Sequence, residues 1–253
     1  MVAENQYGTA DIQNELLELM KIFHEFCVQK EIKYSLFGGS GLGAVRHDGF
    51  IPWDDDLDIC VDRKNYRKLL SCFRTCEGLS MHQNLWVKRI QKIGAKPIRG
   101  YVPTLDVFVI DNAPDNRIQF QVKVLLLSVL QGMLKKTRNY SRFAFHYRVF
   151  LFVTYLLGKL FPTALMRRWY TKVSQIGNGR KTRYTHSCND AYNCLRIKYK
   201  HDTFKNLVLH KFEDAEFYIP EDYDDYLTAR YGDYMKLPNE SQRIPQHVKE
   251  KGE

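Results

Sequence analysis

Four aspartates fall within five positions of the stretch FIPWDDDLDICV, residues 50–61: Asp54, Asp55, Asp56 and Asp58. Side chains alternate along a strand, so Asp56 and Asp58 share one face while Leu57 and Ile59 share the other. Two neighbouring carboxylates with apolar residues behind them repel each other and lose hydration. A hard divalent cation relieves both penalties, because Mg²⁺ accepts carboxylate oxygens and keeps water or phosphate at its other positions. A third acid, Asp106, lies in the apolar run TLDVFVI, where an unpaired charge is expensive. The expected ligands are therefore Asp56, Asp58 and Asp106, with Mg²⁺ or Mn²⁺ as the ion. Asp54 and Asp55 suit a solvated turn or a helix cap.

Phosphate-binding chemistry is offered by FGGSG, residues 37–41. Gly38 and Gly39 allow close backbone approach, Ser40 adds a hydroxyl, and a helix starting there would aim unpaired N–H groups at an anion. Strand, G-G-S, helix and a D-x-D strand together place phosphate donors beside metal ligands, as phosphoryl transfer requires. Nucleotidyl transfer from a nucleoside triphosphate would use the same parts.

The elements that must position these residues follow from periodicity. Ile12, Leu16, Leu19, Phe23 and Phe26 predict a first helix, with Thr9 or Asp11 as its cap. KYSLF predicts a short strand and LGAVRHDG a helical turn or two, broken at Gly49 and Pro52. LDICV reads as a strand and RKNYRKLLSCF as a helix with an apolar stripe at Tyr66, Leu69, Leu70 and Phe73. LWVKRIQ and PTLDVFVID read as further strands, the second bounded by Pro103 and the turn DNAPDN. Near the end, Tyr223, Tyr226, Leu227, Arg230 and Tyr231 share a helix face, with Gly232 at the C-cap position.

Charge divides the chain. Between Asn116 and Asn189 there are fourteen Lys or Arg and no Asp or Glu, and this segment alone supplies the excess behind the net charge of +9. Such asymmetry predicts a surface that meets something anionic. Val122, Leu125, Leu126, Val129, Leu130, Met133 and Leu134 predict an amphipathic helix. VFLFVTYLLGKLF, residues 149–161, is apolar nearly all round, but it is too short for a bilayer and contains Lys159. It suits a buried helix with basic flanks, or one of a helix pair leaning on an anionic membrane. A nucleic-acid or membrane binder without catalysis could use these bases with Phe143, Phe145 and Tyr147. It would have no need for Asp56, Asp58 and Asp106, so no nucleic-acid partner is expected.

Six cysteines make no C-x-x-C pair, and His186, Cys188 and Cys194 match no usual zinc spacing. The opening MVAENQYGTADIQ reads as no signal peptide. Free thiols and a cytoplasmic location, in solution or peripheral on the inner membrane face, are the expectation.

The stretch FGGSGLGAVRHDGFIPWDDDLDICVDRKNY resembles the signature of the LicD family, phosphocholine transferases related to fukutin and fukutin-related protein. TLDVFVID resembles the family's second acidic strand, and YLTARYGDYMKLPNESQRIPQH its C-terminal motif. The resemblance implies an α+β fold: a nucleotidyltransferase-like mixed sheet with packed helices, carrying a basic, mostly helical insertion. Residues 1–115 would form the catalytic core, 116–189 the insertion facing acceptor or membrane, and 190–253 the part that completes the catalytic domain. The implied reaction moves a phosphoalcohol, phosphocholine foremost, from a CDP-linked donor such as CDP-choline to a glycan or glycolipid hydroxyl. Lipopolysaccharide or teichoic acid biosynthesis is the implied setting, and ribitol or glycerol phosphate are alternative cargoes. By position, Asp56 and Asp58 correspond to the family's metal pair, Asp106 to its third acid, and Gly39 and Ser40 to its donor-phosphate turn. Arg46, His47 and Trp53 also occupy matched positions. Arg46 is a candidate phosphate clamp and His47 a candidate base, while Arg230 and Arg243 either reach the donor or serve as ordinary solvated or ion-paired arginines.

Overall fold

A computed structural model describes residues 6–135 and 145–247. In chain order the elements are α1 (Ala10–Gln29), β1 (Ser35–Leu36), α2 (Gly38–His47), β2 (Leu57–Asp62), α3 (Arg63–Cys72), β3 (Leu79–Asn84), β4 (Val87–Lys92), β5 (Leu105–Ala113), α4 (Arg117–Leu134), α5 (Phe145–Gly158), α6 (Thr163–Ser174), β6 (Tyr184–Ser187), β7 (Tyr199–Lys200), β8 (Leu207–Phe212), β9 (Ala215–Pro220) and α7 (Tyr223–Tyr231). The class is α+β. The chain forms two compact units, one from residues 1–82, 88–109 and 202–253, the other from residues 83–87 and 110–201.

In the first unit the strands run β1-β2-β5-β4-β3. β1 is antiparallel to β2, with Ser35 opposite Cys60, and β4 is antiparallel to β5, with Arg89 opposite Asp106. The apolar side of α1, including Leu16, Met20 and Phe23, packs in one core with Leu57 and Ile59 of β2 and Leu105 and Val107 of β5. This is the alternation that puts Leu57 and Ile59 inward and leaves Asp58 on the opposite face. α3 begins where Asp62 accepts the Asn65 N–H at 2.7 Å.

Two features depart from the expected elements in this unit. α2 starts at Gly38, so the glycines are its first turn rather than a loop before it. The β8–β9 hairpin has no marker in the sequence: its turn residue Glu213 takes a positive φ of 57° without being glycine, and Val208 and Leu209 are both exposed. That turn is held because Glu213 accepts the Phe50 N–H at 2.9 Å and donates its own N–H to Asp48 at 2.7 Å.

In the second unit, residues 110–113 of β5 pair antiparallel with β6, which pairs with β7. α4 packs against α5 and α6. α4 buries only the later part of the stripe expected of it: Leu130, Met133 and Leu134 are buried together with Phe120, Val124 and Leu127, while Val122, Leu125 and Leu126 are exposed. The inward face of the first turns is stabilised by Lys123, whose buried ammonium donates to Asn112 O and Ile176 O, each at 2.9 Å. The run 149–161 is not one buried helix. α5 stops at Gly158, ahead of Pro162, and exposes most of its apolar side chains. Phe143 lies outside the described residues, as do the side chains of Phe145 and Tyr147.

His186 is fully buried, its Nδ1 is 3.3 Å from Leu195 O, and burial depresses its pKa to about 3. An imidazole held neutral in the fold, but free to protonate when unfolded, destabilises the native state as pH falls below about 6.5. Urea melts at pH 7 and near pH 4.5 are expected to differ by roughly 2 kcal/mol through this residue. His186→Leu should flatten the difference, and an unchanged pH profile would exclude His186 as its source.

Candidate active site

The site is built where β1 enters α2 beside β2. Phe37 donates its N–H to Asp58 O at 2.9 Å, and the Asp58 N–H returns to Ser40 Oγ at 2.9 Å. These two bonds lock the first turn of α2 onto the D-x-D strand. The N-cap residue is Phe37, whose side chain cannot cap, so that position offers the first N–H groups of α2 no side-chain acceptor. Gly38 has φ of 57°, and a Cβ there would land on Asp58 Oδ2; a Cβ on Gly39 would land on Asp54 Oδ2. The glycines thus let the carboxylates lie directly against backbone.

Four carboxylates converge electrostatically. Burial pushes Asp58 well above the usual carboxylate range, and Asp56, Asp106 and Asp54 push it further, with Arg230 opposing. Asp54 is also held well above that range, by burial and then by Asp56, with which it shares a hydrogen bond. Burial raises Asp56, with His247 opposing, and raises Asp106, with Arg89 opposing. Asp106 is clamped by Arg89 across the β4–β5 pair, Nε to Oδ1 at 2.7 Å and Nη2 to Oδ2 at 3.1 Å. Among the described residues no group of three or more Asp, Glu, His or Cys side chains is placed to hold a metal ion. The cluster is instead an oxygen-rich, charge-strained recess, and hard carboxylate oxygens are the donors that suit Mg²⁺ or Mn²⁺.

Asp55 overturns the expectation of a solvated turn. It is 1% exposed and accepts the Gln246 N–H at 3.1 Å and the His247 N–H at 2.7 Å, with His247 Nδ1 at 3.0 Å. Its carboxylate raises the His247 pKa, and the His247 ring lies 4.8 Å from that of Tyr101. Asp54 is not a solvated cap either, since it faces Gly39 and Asp56.

The C-terminal motif supplies the cations. Arg230 lies 4.7 Å over the Phe37 ring, at the mouth of α2, and acts on Asp58. Arg243 lies 5.6 Å over Trp53 and donates to Pro238 O at 2.9 Å. Arg46 gives an N–H to Tyr234 O at 2.9 Å, and its electrostatic neighbours include Tyr231 and Arg243. Burial and Arg46 lower the His47 pKa to about 4, which keeps the imidazole neutral. Asp56, Asp58 and Asp106 act on one another electrostatically, Gly38 and Ser40 contact Asp58, and Gly39 lies against Asp54, while Arg46 is tied to the C-terminal motif. Sequence reasoning missed Asp54, Asp55 and Arg89. Arg89 carries no local signal, because only strand register reveals it.

Residues 31–101 match the family model described as LicD/FKTN/FKRP, nucleotidyltransferase domain. The lipopolysaccharide cholinephosphotransferase LicD of Haemophilus influenzae is 27% identical over 260 residues, covering 92% of this chain and 94% of that protein. Uncharacterised proteins of Rickettsia typhi and Rickettsia prowazekii are 40% identical over 75 residues and 57% identical over 46. These shorter matches cover 28% and 18% of this chain, and 24% and 17% of those proteins. The family-model match spans the glycine turn and Asp54–Asp58, and over 92% of its length the chain is similar to a phosphotransferase of the LicD family.

Proposed function

We propose that the protein transfers phosphocholine, or a closely related phosphoalcohol, from a CDP-linked donor to a hydroxyl of a cell-surface glycan or glycolipid, releasing CMP. The observation that carries this reading is the placement of the Asp54–Asp58 carboxylates against the glycine turn that opens α2. A diphosphate bridged to a divalent cation would satisfy both sides at once. The first unit is read as the nucleotidyltransferase-like core, and the basic segment as its insertion.

Asp56 and Asp58 would hold Mg²⁺ or Mn²⁺, with Asp106 as the third acid. Such an ion supplies neutralisation of diphosphate charge. Gly39 and Ser40 seat the donor phosphates, and Arg230 balances charge at the same mouth. Asp106, oriented by Arg89 and raised in pKa by burial, accepts the proton of the attacking hydroxyl. The acceptor oxygen bonds to the phosphorus bearing the alcohol, the bond from that phosphorus to CMP breaks, and CMP leaves with the electron pair.

The test is CMP release by the purified chain across CDP-choline, CDP-ribitol, CDP-glycerol and CDP-ethanolamine, with Mg²⁺ or Mn²⁺ and crude glycolipid as acceptor. Metal-dependent release from CDP-choline is expected. Release from another donor alone would reassign the cargo, and pyrophosphate release from a nucleoside triphosphate would overturn the reaction. In the same assay Gly39→Ala is expected to lower turnover about a hundredfold, because the new methyl displaces Asp54 from the turn. Wild-type turnover in Gly39→Ala would remove the glycine turn from the mechanism.

A further inference from the structure

The second unit turns apolar stripes outward on two neighbouring helices. On α4 the exposed set includes Ile118, Val122 and Leu125, at steps of four and three. On α5 it includes Phe152, Val153 and Leu156, while Leu151 and Thr154 make the buried edge. Exposed aliphatic surface of this kind marks an interaction face. Its surroundings are basic: Arg117, Arg148, Lys159 and Arg168 are all exposed, within a segment that has fourteen Lys or Arg and no Asp or Glu. Beside the α4 stripe, a cleft of about 580 Å³ is lined by Phe120, Val124 and Leu125 and bears Arg117, Arg196 and Lys198. The Lys198 ammonium lies 4.2 Å from the Phe120 ring centroid.

We propose that this face seats the protein on an anionic phospholipid bilayer, with the cleft taking the phosphate of one headgroup. Charge decides the occupant. A second copy would bring the same bases into contact and repel, whereas acidic headgroups complement them. The exposed side chains are chiefly aliphatic, as acyl-chain insertion requires, rather than the aromatic platforms on which bases stack. Among the described residues no helix is long and apolar enough to cross a membrane, so the contact is peripheral.

Vesicle co-sedimentation of the full chain tests this, using phosphatidylcholine alone and phosphatidylcholine with part replaced by phosphatidylglycerol. Pelleting with the anionic vesicles only, weakened by added salt, is expected. Leu125→Glu/Leu156→Glu should reduce binding by at least about tenfold, and Arg117→Glu/Lys198→Glu by a similar factor. Both pairs are on the surface, and circular dichroism melts matching the wild type would show that the fold survives. Leu125→Ser/Leu156→Ser is the milder substitute should the glutamates unfold the chain. The proposal is overturned if wild type stays in the supernatant with anionic vesicles, or if the folded variants pellet undiminished. It is equally overturned if the aliphatic variant dissociates a dimer in gel filtration while vesicle binding persists.

Discussion

Asp58→Asn is expected to lower CMP release at least about a thousandfold and at the same time to make the protein more stable, by about 1 kcal/mol near neutral pH. The two effects share one cause. Asp58 lies against the start of α2 among Asp54, Asp56 and Asp106, and burial with those three charges raises its pKa well above 3.8. A carboxyl group whose folded pKa is raised favours the native state fully at low pH, and that contribution is lost as pH climbs through the raised value. Asparagine has nearly the same shape, occupies the space left by Gly38, and carries no charge to repel. Its stabilising effect should therefore vanish near pH 4 and grow toward pH 7. Metal should separate the proteins further: Mg²⁺ is expected to raise the wild-type melting temperature and to leave Asp58→Asn unmoved. Melts at both pH values, with and without Mg²⁺, check all of this. A variant less stable than wild type at pH 7, or one within tenfold of its activity, would defeat the account.

Asp55→Ala is expected to act in the opposite direction on stability. Asp55 is buried and is bonded by two successive backbone N–H groups and a histidine ring. Its removal strips those donors of their acceptor and leaves His247 beside Asp56 without its main partner. A loss of about 2 to 4 kcal/mol follows from breaking a buried, charge-assisted set of bonds. Activity should fall about tenfold to a hundredfold at temperatures where the variant is folded, because the C-terminal motif that carries Arg230 and Arg243 is no longer anchored beside the carboxylates. Denaturant melts and steady-state kinetics on one preparation distinguish the two effects. Wild-type stability in Asp55→Ala would show that the Gln246–His247 contact is dispensable.

These two neighbouring aspartates also mark where sequence reasoning ends. The alternation Asp56-Leu57-Asp58-Ile59 predicts two acids on one face of a strand; β2 starts at Leu57, and within it Leu57 and Ile59 are buried with Asp58 opposite, because the side-chain period of a strand is a local property. Asp55 stands one position away and looks like part of the same charge run. Its partner is 192 residues on, and no local pattern encodes that contact. Arg89 is hidden for the same reason, since its bond to Asp106 depends on the β4–β5 register. In α4 the failure is different. Its apolar residues circle most of the helix, so periodicity found buried Leu130, Met133 and Leu134 but missed the inward face of the first turns, where Lys123 is buried. α1 had a single clean stripe, which the fold buries, although Thr9 at its N-cap donates its hydroxyl to Pro52 O and does not cap the helix.

The Asp55–His247 contact also sets an order of events during synthesis. Every carboxylate of the recess has left the ribosome long before residue 247 is made, so a nascent chain carries its strained acidic cluster without the strap that anchors it. The strap therefore closes on carboxylates made before it, and chains truncated ahead of Gln246 should accumulate as folded protein of reduced activity.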